Sequence, residues 1–142
     1  MKKLISLSVL SIGLVCFAHA QKLKESQVPA VVKANFAKQF PGVEAKWEME
    51  DGKYEAGFKK MGHEMSAMIE PNGTITETEM EIKTSELPKA VTDYVKKNFP
   101  NATIKEASKI TKSSGEVNYE AEVNGKDLIF TNNGDFIKSV KA

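Results

Sequence analysis

Two related copies of one segment follow each other in the sequence, and this internal repeat constrains the fold more than any other feature. The copies cover approximately residues 24–83 and 84–142, and similar residues recur in the same order in both copies. The matching pairs are Ser26–Pro29 with Ser85–Pro88, Phe40–Pro41 with Phe99–Pro100, Tyr54–Ala56 with Tyr119–Ala121, and Asn72–Gly73 with Asn133–Gly134. Chance does not produce so long a colinear series. The sequence therefore predicts a protein built from two similar halves.

Each copy opens with a segment in which apolar residues recur every four positions. The periodic residues are Val28, Val32, Phe36 and Phe40 in the first copy, and Leu87, Val91, Val95 and Phe99 in the second. This spacing predicts an amphipathic helix with one buried stripe. The proline that follows the last phenylalanine of each stripe ends the helix. Ser26 and Ser85, or the residue just before the first proline of each copy, are the candidate helix caps.

Four strands are predicted after each helix, because turns that contain glycine separate segments of alternating polarity. One face of these strands is apolar and the other is charged, which is typical of an antiparallel sheet covered on one side. The predicted fold class is α+β, with two tandem α-β-β-β-β repeats and with the helices packed on one face of the antiparallel sheet or sheets. Because a unit of about 60 residues is marginally stable alone, the two copies are expected to share a core within one domain.

The first twenty residues differ in composition from the rest of the chain. Lys2 and Lys3 precede an uncharged, mostly apolar run, and small residues occupy the positions that a signal peptidase reads, Ala18 and Ala20. The pattern predicts a Sec-type signal peptide over residues 1–20, cleavage after Ala20, and a single domain over residues 21–142. The alternatives are an N-terminal membrane anchor and a lipid on Cys16. The expected location is periplasmic or secreted, without a membrane span in the mature form.

The composition of the predicted mature chain argues against nucleic-acid binding. The protein contains no arginine. After removal of Lys2 and Lys3 with the predicted signal peptide, the chain contains eighteen lysines and nineteen acidic residues, so its net charge is close to zero. Such a chain lacks the guanidinium groups that usually recognise phosphate and guanine. Cys16 is the only cysteine and lies in the predicted signal peptide, so no disulfide and no thiolate metal site are expected.

Residues suited to catalysis or metal binding are sparse. His63 is the only histidine of the predicted mature chain, and one histidine is a weak basis for a metal site. Glu77, Glu79 and Glu81 share one face of a predicted strand, but a spacing of about 7 Å along it keeps them from one ion unless a neighbouring strand helps. We interpret them as a solvated sheet edge. The protein is predicted not to be an enzyme and to need no cofactor or metal.

The Val-Pro or Leu-Pro helix start, the Phe-Pro helix end and the doubled strand meander after a signal peptide resemble the PepSY-like, β-lactamase-inhibitor-like proteins. The resemblance covers residues 24–142. It implies an eight-stranded antiparallel sheet with both helices on one side, and a non-enzymatic protein whose open sheet face holds a partner. Inhibition is a property of the better-studied inhibitors of similar architecture, so this analogy of fold carries little weight for function.

The predicted function is that of an exported, non-catalytic, inhibitor-like binding module that engages a protein or peptide of the cell envelope. Trp47, Tyr54 and Tyr119 have the strand parity of the helix-packed face, so the charged face is left for a partner. The candidate partner-binding residues are Lys46, Glu48, Lys53, Glu55, Lys59, Lys105, Lys109, Glu120 and Glu122. The alternatives are an envelope-associated module that binds a small ligand, lipid or surface polymer, and a sheet face that is merely solvated.

Overall fold

One continuous nine-stranded antiparallel sheet forms the framework of the protein in the computed structural model, which describes residues 20–142. The strands lie side by side in chain order. They are β1 (Gln21–Leu23), β2 (Lys46–Glu50), β3 (Lys53–Lys60), β4 (His63–Ile69), β5 (Ile75–Ile82), β6 (Ala107–Lys112), β7 (Val117–Val123), β8 (Lys126–Thr131) and β9 (Phe136–Lys141). The predicted signal peptide lies outside the described residues except for Ala20, so its expected cleavage stays a prediction.

Two α-helices accompany the sheet, α1 (Ala30–Gln39) before β2 and α2 (Lys89–Asn98) before β6. The predicted α+β class with an antiparallel sheet is therefore confirmed. The sheet has nine strands instead of the eight that the resemblance implied. The additional strand is β1, which precedes the first helix in the chain and pairs with β2. β1 is only three residues long, too short for its alternation to show in the sequence. Its Leu23 lies opposite Trp47 and extends the apolar face.

The N-cap residue of each helix differs from the predicted one. Pro29 and Pro88 are themselves the N-cap residues, whereas Ser26 and Ser85 lie in short 3-10 turns over Glu25–Gln27 and Thr84–Glu86. A side chain closes each turn on the backbone. The Lys24 N–H donates to Gln27 Oε1 at 2.8 Å, and the Lys83 N–H donates to Glu86 Oε2 at 2.8 Å. The two helices thus begin in the same way.

Both helices cover the same face of the sheet, as the alternation predicted, but the buried residues form two clusters instead of one shared core. In the first, Val32 and Phe36 of α1 pack with Trp47 and Phe58. In the second, residues of α2 such as Val91 pack with strands β6 to β8. The clusters are joined through the sheet, where β5 and β6 pair over six residues on each strand.

A buried glycine in one hairpin of each half brings the sheet against its helix. Gly73 follows β4 and Gly134 follows β8, and both have positive φ angles, 88° and 87°. The Asn35 Nδ2 of α1 donates to the Gly73 carbonyl oxygen at 2.9 Å. The strand register shifts beside each turn, as at a β-bulge: between Met68 and Ile69 in the pairing of β4 with β5, and between Ile129 and Phe130 in the pairing of β8 with β9. The halves therefore share this irregular detail as well as their element order.

Candidate functional site

The open face, which we define as the face of the sheet opposite α1 and α2, is the candidate functional site. Its side chains are identified by the strand register. Ala56 and Ala67 pair on the helix side and belong to the first buried cluster, so Glu55 and Gly57 point the other way. The register carries this assignment across β5 into the second half, where Ile82 and Ala107 pair on the helix side. No helix of residues 20–142 packs on the open face.

Most of the predicted partner-binding residues lie on the open face. By strand parity these are Lys46, Glu48, Lys53, Glu55, Lys59, Glu120 and Glu122. Lys105 precedes β6, and its Nζ lies 3.0 Å from Oε1 of Glu122. Lys109 is the exception, because its partners in the register are Met80 and Tyr119 on the helix side. Tyr119 itself packs against the second cluster, as its parity predicted.

The wrong assignment of Lys109 has a local cause just before β6. The Lys105 N–H donates to the Glu122 carbonyl, and the Glu122 N–H donates to the Glu106 carbonyl, each at 2.9 Å. Two residues of one segment thus oppose one residue of the other, as in a β-bulge, which reverses the alternation of side chains. The sequence analysis assigned Lys105 and Lys109 to the same face, which requires an unbroken alternation between them.

Carboxyl and hydroxyl groups alternate in a row across five neighbouring strands of the open face. In order from β3 to β7 the residues are Glu55, Ser66, Glu79, Ser108 and Glu120. Ser66 stands directly opposite Glu79, and Ser108 stands directly opposite Glu120. These residues also interact diagonally across neighbouring strands: the Ser66 hydroxyl interacts with Glu55, and the Ser108 hydroxyl interacts with Glu79. We call these five residues the Glu–Ser row.

Sequence reasoning found only the two ends of this row. It interpreted Glu79 as part of a solvated edge, and that interpretation is wrong because β5 is the middle strand of nine. Glu77, Glu79 and Glu81 do share one face of β5, as predicted. The alternation of glutamates in the sequence correctly predicted a strand. Whether the carboxylates of that strand are exposed to solvent depends on the position of the strand within the sheet.

Burial perturbs the acidic groups of the row. Loss of hydration is the main cause that raises the pKa of Glu120, to about 8, and the charges of Glu79 and Asp127 raise it further. Burial likewise raises the pKa of Glu79 and of Glu55, in each case partly offset by the serine hydroxyl. Glu120 is therefore largely protonated at neutral pH and presents a neutral carboxyl group there.

The second half of the open face is less solvated than the charged alternation predicted. Asn118 and Ile110 are 3% and 6% exposed, and Ser108 and Ile129 are buried too. Ser108 and Ile129 flank Glu120 in the register, on β6 and β8. Since no helix of residues 20–142 covers this face, neighbouring side chains and the sheet itself shield these residues. The environment explains why the Glu120 carboxylate loses so much hydration.

A shallow cavity of about 660 Å³ opens on the first half of the open face. Its lining includes Lys46, Glu48, Glu55, Lys59 and Glu64, and Gly57 lies among them. Gly57 has no close neighbour in the direction of a side chain, where the nearest atom is the Lys46 carbonyl oxygen at 3.9 Å. The missing side chain therefore leaves the floor of the cavity open. Four of the predicted site residues meet here.

Two lysines at the borders of the open face form ion pairs with glutamates. Lys59 Nζ lies 2.8 Å from Glu64 Oε1, and Lys105 pairs with Glu122. Hydrogen bonding to these carboxylates raises the pKa of both lysines. Lys59 and Glu64 are both largely exposed, so their ion pair contributes little to stability, whereas the Glu122 side chain of the other pair is mostly buried.

The described residues offer no group of three or more His, Cys, Asp or Glu side chains arranged to hold a metal ion. His63 is exposed at the start of β4, opposite Lys60. The chemistry available on the open face is thus hydrogen bonding and charge: carboxyl groups and hydroxyls in its middle and lysines at its borders.

Replacing Glu120 by glutamine is expected to remove a pH-dependent cost to stability. Between pH values near 4.5 and about 8 the unfolded chain loses the Glu120 proton that the folded chain keeps. The folded state then binds more protons, so the free energy of unfolding falls as the pH rises through this window. Glutamine keeps the shape of the neutral acid. We expect equal stability near pH 4.5 and a gain of about 1–2 kcal/mol at pH 8, after allowance for remaining solvent contact.

Urea unfolding of both proteins at a series of pH values measures this effect. The charged groups that act on Glu120 are Glu77, Glu79, Glu122 and Asp127, and Lys112 lies opposite Glu77. Glu64→Gln, at an exposed acid of the same face, is the control and should leave the pH dependence unchanged. A stability difference between E120Q and the wild type that does not vary with pH would contradict the assignment.

Sequence comparison finds one family. The sequence model of the family described as "Putative beta-lactamase-inhibitor-like, PepSY-like" matches residues 15–77 and again residues 53–138. No curated protein matches the sequence significantly. Within residues 20–142, no helix is long and apolar enough to cross a membrane.

Solved structures from Bacteroides species have a similar fold. A protein of B. eggerthii DSM 20697 described as periplasmic has a TM-score of 0.71 and 15% identity, covering 80% of this chain and 88% of its own. A DUF2874 family protein of B. uniformis ATCC 8492 has a TM-score of 0.70 and 17% identity, covering 80% and 88%. A BLIP-like protein of B. fragilis NCTC 9343 has a TM-score of 0.59 and 22% identity, covering 80% and 85%. These likenesses show a shared fold.

Proposed function

Because this chain belongs to the PepSY-like, β-lactamase-inhibitor-like family, we propose that it is an exported, non-catalytic binding module that engages a protein or peptide partner through the open face. The observation that carries the proposal is the one-sided packing of the sheet. Both helices cover one face, and the open face keeps a cavity and partly buried polar groups that no helix of the described residues covers.

The polar chemistry of the open face supports a role in recognition. Partly buried carboxyl and hydroxyl groups with fixed neighbours offer directional hydrogen bonds, whereas mobile surface charges do not. The Glu–Ser row provides such groups in the middle of the face, and lysines such as Lys46 and Lys53 provide charge at its side. Complementary charge of this kind accelerates association and selects partners. Among residues 20–142, no exposed aromatic side chain lies on the open face, so we expect polar contacts to dominate the interface.

Export is the second part of the proposal. The apolar run after Lys2 and Lys3 and the small residues before Gln21 support a cleaved signal peptide. β1 begins at Gln21, so cleavage after Ala20 would leave the sheet intact. The description of a structural neighbour as periplasmic agrees with this location.

Duplication of one unit is the third part. The family model matches the chain twice, over overlapping ranges. Each half contains a 3-10 turn, a ten-residue helix and four strands in that order. The buried hairpin glycines, Gly73 and Gly134, stand at corresponding places. We therefore infer that the chain consists of two tandem repeats, over approximately residues 24–83 and 84–142.

Filling the cavity floor tests whether the open face binds the partner. In Gly57→Leu the new side chain points into the cavity, since the position is open and its φ angle is not positive. We expect the variant to lose the partner protein that the immobilised mature chain captures from an envelope extract, with affinity reduced about tenfold or more. Stability should stay equal or rise by about 0.5 kcal/mol, because glycine weakens a strand.

Gly57→Ala is the matched control. It imposes the same backbone restriction but leaves most of the cavity open, so it should retain the partner. Capture of the same protein by both variants would contradict the open-face proposal. Recovery of only a lipid, a glycan or a small ligand would favour the alternative function. Reversing Glu55 or Glu120 is a poorer test, because both carboxyl groups are partly buried and their reversal would disturb folding.

A further inference from the structure

We propose that the gap between α1 and α2, on the helix side of the sheet, is a second docking site, which accepts an amphipathic helix with acidic side chains from a partner protein. This site lies on the opposite side of the sheet from the open face, so the inference goes beyond the proposed function. It rests on three observations: a strip of the sheet that neither helix covers, the width of the gap, and the lysines in and beside it.

A strip of the sheet between the two buried clusters has no helix above it. α1 packs on β2, β3 and β4, and α2 packs on β6, β7 and β8. Met80 of β5 points to the helix side, since it pairs with Met65, yet it belongs to neither cluster. Met80 stands opposite Lys109, and Thr78 stands opposite Thr111. These four residues of β5 and β6, which we call the central strip, are half-buried or exposed.

The width of the gap fits one further helix. The cluster of α1 is centred on β3 and that of α2 on β7, four strands away. Neighbouring strands lie about 4.8 Å apart, so the two helix axes are separated by about 19 Å along the sheet. Packed helices lie about 8–10 Å apart between axes, and one helix over the central strip can therefore contact both α1 and α2. An extended strand finds no edge here, because β5 and β6 are paired on both sides.

The charge at the floor of the gap is positive. Lys109 lies in the central strip, and among residues 20–142 its ammonium group has neither an ion pair nor a hydrogen bond. β6 contains no acidic residue, and the glutamates of β5 lie on the open face. A carboxylate on a docked helix would pair with this half-buried ammonium group, and such charge-assisted contacts are stronger than neutral ones.

One flank of α1 faces the gap and carries a lysine. The Asn35 side chain donates to the Gly73 carbonyl oxygen in the β4–β5 turn, and the Val31 side chain lies close to the same turn. This flank of α1 is therefore turned toward β5. Lys38 follows Asn35 by three residues and Val31 by seven, which places all three on one flank. Val31 is 45% exposed, so the flank offers an apolar contact beside a positive charge.

α2 presents its own lysine to the gap. The Tyr94 ring stacks on the Phe136 ring of β9, with centroids 4.9 Å apart, so this flank of α2 faces away from the gap. Lys96 comes two residues later, about 200° further around the helix, and therefore lies on the flank toward β6. Lys97 comes three residues after Tyr94 and shares its flank. Two adjacent lysines of one helix thus differ in whether they border the gap.

The composition of the two helices argues against a second copy of this chain as the occupant. α1 contains no acidic residue, and the single acid of α2, Asp93, is paired with Lys89 at 2.6 Å. A helix from another copy would therefore bring further lysines to Lys38, Lys96 and Lys109. Like charges brought together in an interface oppose association, so the gap selects a helix of the opposite charge.

The test uses the mature chain and two labelled peptides, both acetylated and amidated. The acidic peptide consists of four Ala-Glu-Leu-Ala repeats, which favour a helix with glutamates beside an apolar stripe, and the basic peptide has lysine in place of glutamate. We expect the acidic peptide to shift the amide NMR signals of the central strip and of the helix flanks that border it. The basic peptide should leave these signals unchanged, and Gly57→Leu should not alter either result.

Lysine variants complete the test, with affinities from fluorescence anisotropy at low salt. Lys109→Gln should weaken binding of the acidic peptide about tenfold, because a partly buried ion pair is lost. Lys96→Gln should weaken it about threefold, since a more exposed pair contributes less. Lys97→Gln is the matched control and should bind within about twofold of the wild type. None of these lysines has an ion pair within residues 20–142, so the variants should fold normally.

Equal losses in Lys96→Gln and Lys97→Gln would overturn the proposal, because the attraction would then belong to the whole helix layer and not to the gap. Absence of binding by the acidic peptide would overturn it too. So would a dimer in light scattering that protects the amides of the central strip, or shifts there with phosphatidylglycerol vesicles but not with the peptide. Loss of partner capture in Gly57→Leu bears only on the open face, so the two proposals can fail independently.

Discussion

Replacing Phe40 by alanine is expected to lower the free energy of unfolding by about 3–5 kcal/mol, the range for a large aromatic side chain removed from a core. Phe40 is 6% exposed. Its ring lies 4.6 Å from the Phe58 ring and 5.4 Å from the Phe36 ring, between centroids. It also follows α1 directly, as the C-cap residue whose N–H donates to the Phe36 carbonyl. Its loss would open a cavity where the helix ends against β3.

The corresponding residue of the second half is a matched comparison. Phe99 follows α2 in the same way, but it is only half-buried, and the aromatic contacts of that half involve Tyr94, Phe130 and Phe136 instead. We expect Phe99→Ala to cost about 1–3 kcal/mol, since a partly exposed ring gains less from burial. The repeat by itself predicts equal losses at the two positions.

Urea unfolding followed by circular dichroism and by Trp47 fluorescence measures both losses. Trp47 lies in the first cluster, edge-on to the Phe36 ring at 5.4 Å. Circular dichroism reports on the whole sheet and thus on both clusters. An equal or larger loss for Phe99→Ala would show that the two ends of the sheet are packed more alike than the structure indicates.

Gly134→Ala is the substitution with the second largest expected effect, about 2–4 kcal/mol. An added Cβ would lie 2.7 Å from the Ala90 Cβ and 3.3 Å from the Val91 nitrogen, so α2 or the β8–β9 turn must move. The φ angle of 87° adds strain for any residue with a side chain. Because the contact is with the start of α2, the loss falls on the packing of that helix against the sheet.

Gly115→Ala separates the two contributions. Gly115 has the same φ angle, 87°, but an added Cβ meets nothing within 4 Å. Its substitution should therefore cost only the conformational strain, about 1–2 kcal/mol. The difference between the two variants in urea unfolding measures the close approach of α2 to the turn. Equal losses would mean that the helix moves aside freely.

The sequence by itself determined the local elements of this protein. Both helices, the four strands after each of them and the turns between them follow from patterns within a few residues: apolar positions every fourth residue, alternation along a strand, and glycines that permit a positive φ. The resemblance to the family followed from the same patterns, through the Val-Pro and Leu-Pro helix starts, the Phe-Pro helix ends and the doubled strand meander. Trp47 and Tyr119 were assigned correctly to the helix side, because alternation within their own strands is unbroken.

Only the tertiary structure decided how these elements meet. It placed β5 in the middle of one continuous sheet, so Glu79 became part of a partly buried row. It added β1, divided the buried residues into two clusters and, through the irregular pairing at Lys105 and Glu106, turned Lys109 to the helix side. The physical reason is the range of the interactions. Turn and helix preferences act between near neighbours in the chain, whereas the hydration of a carboxylate and the register of a strand depend on segments that come together only in the assembled sheet.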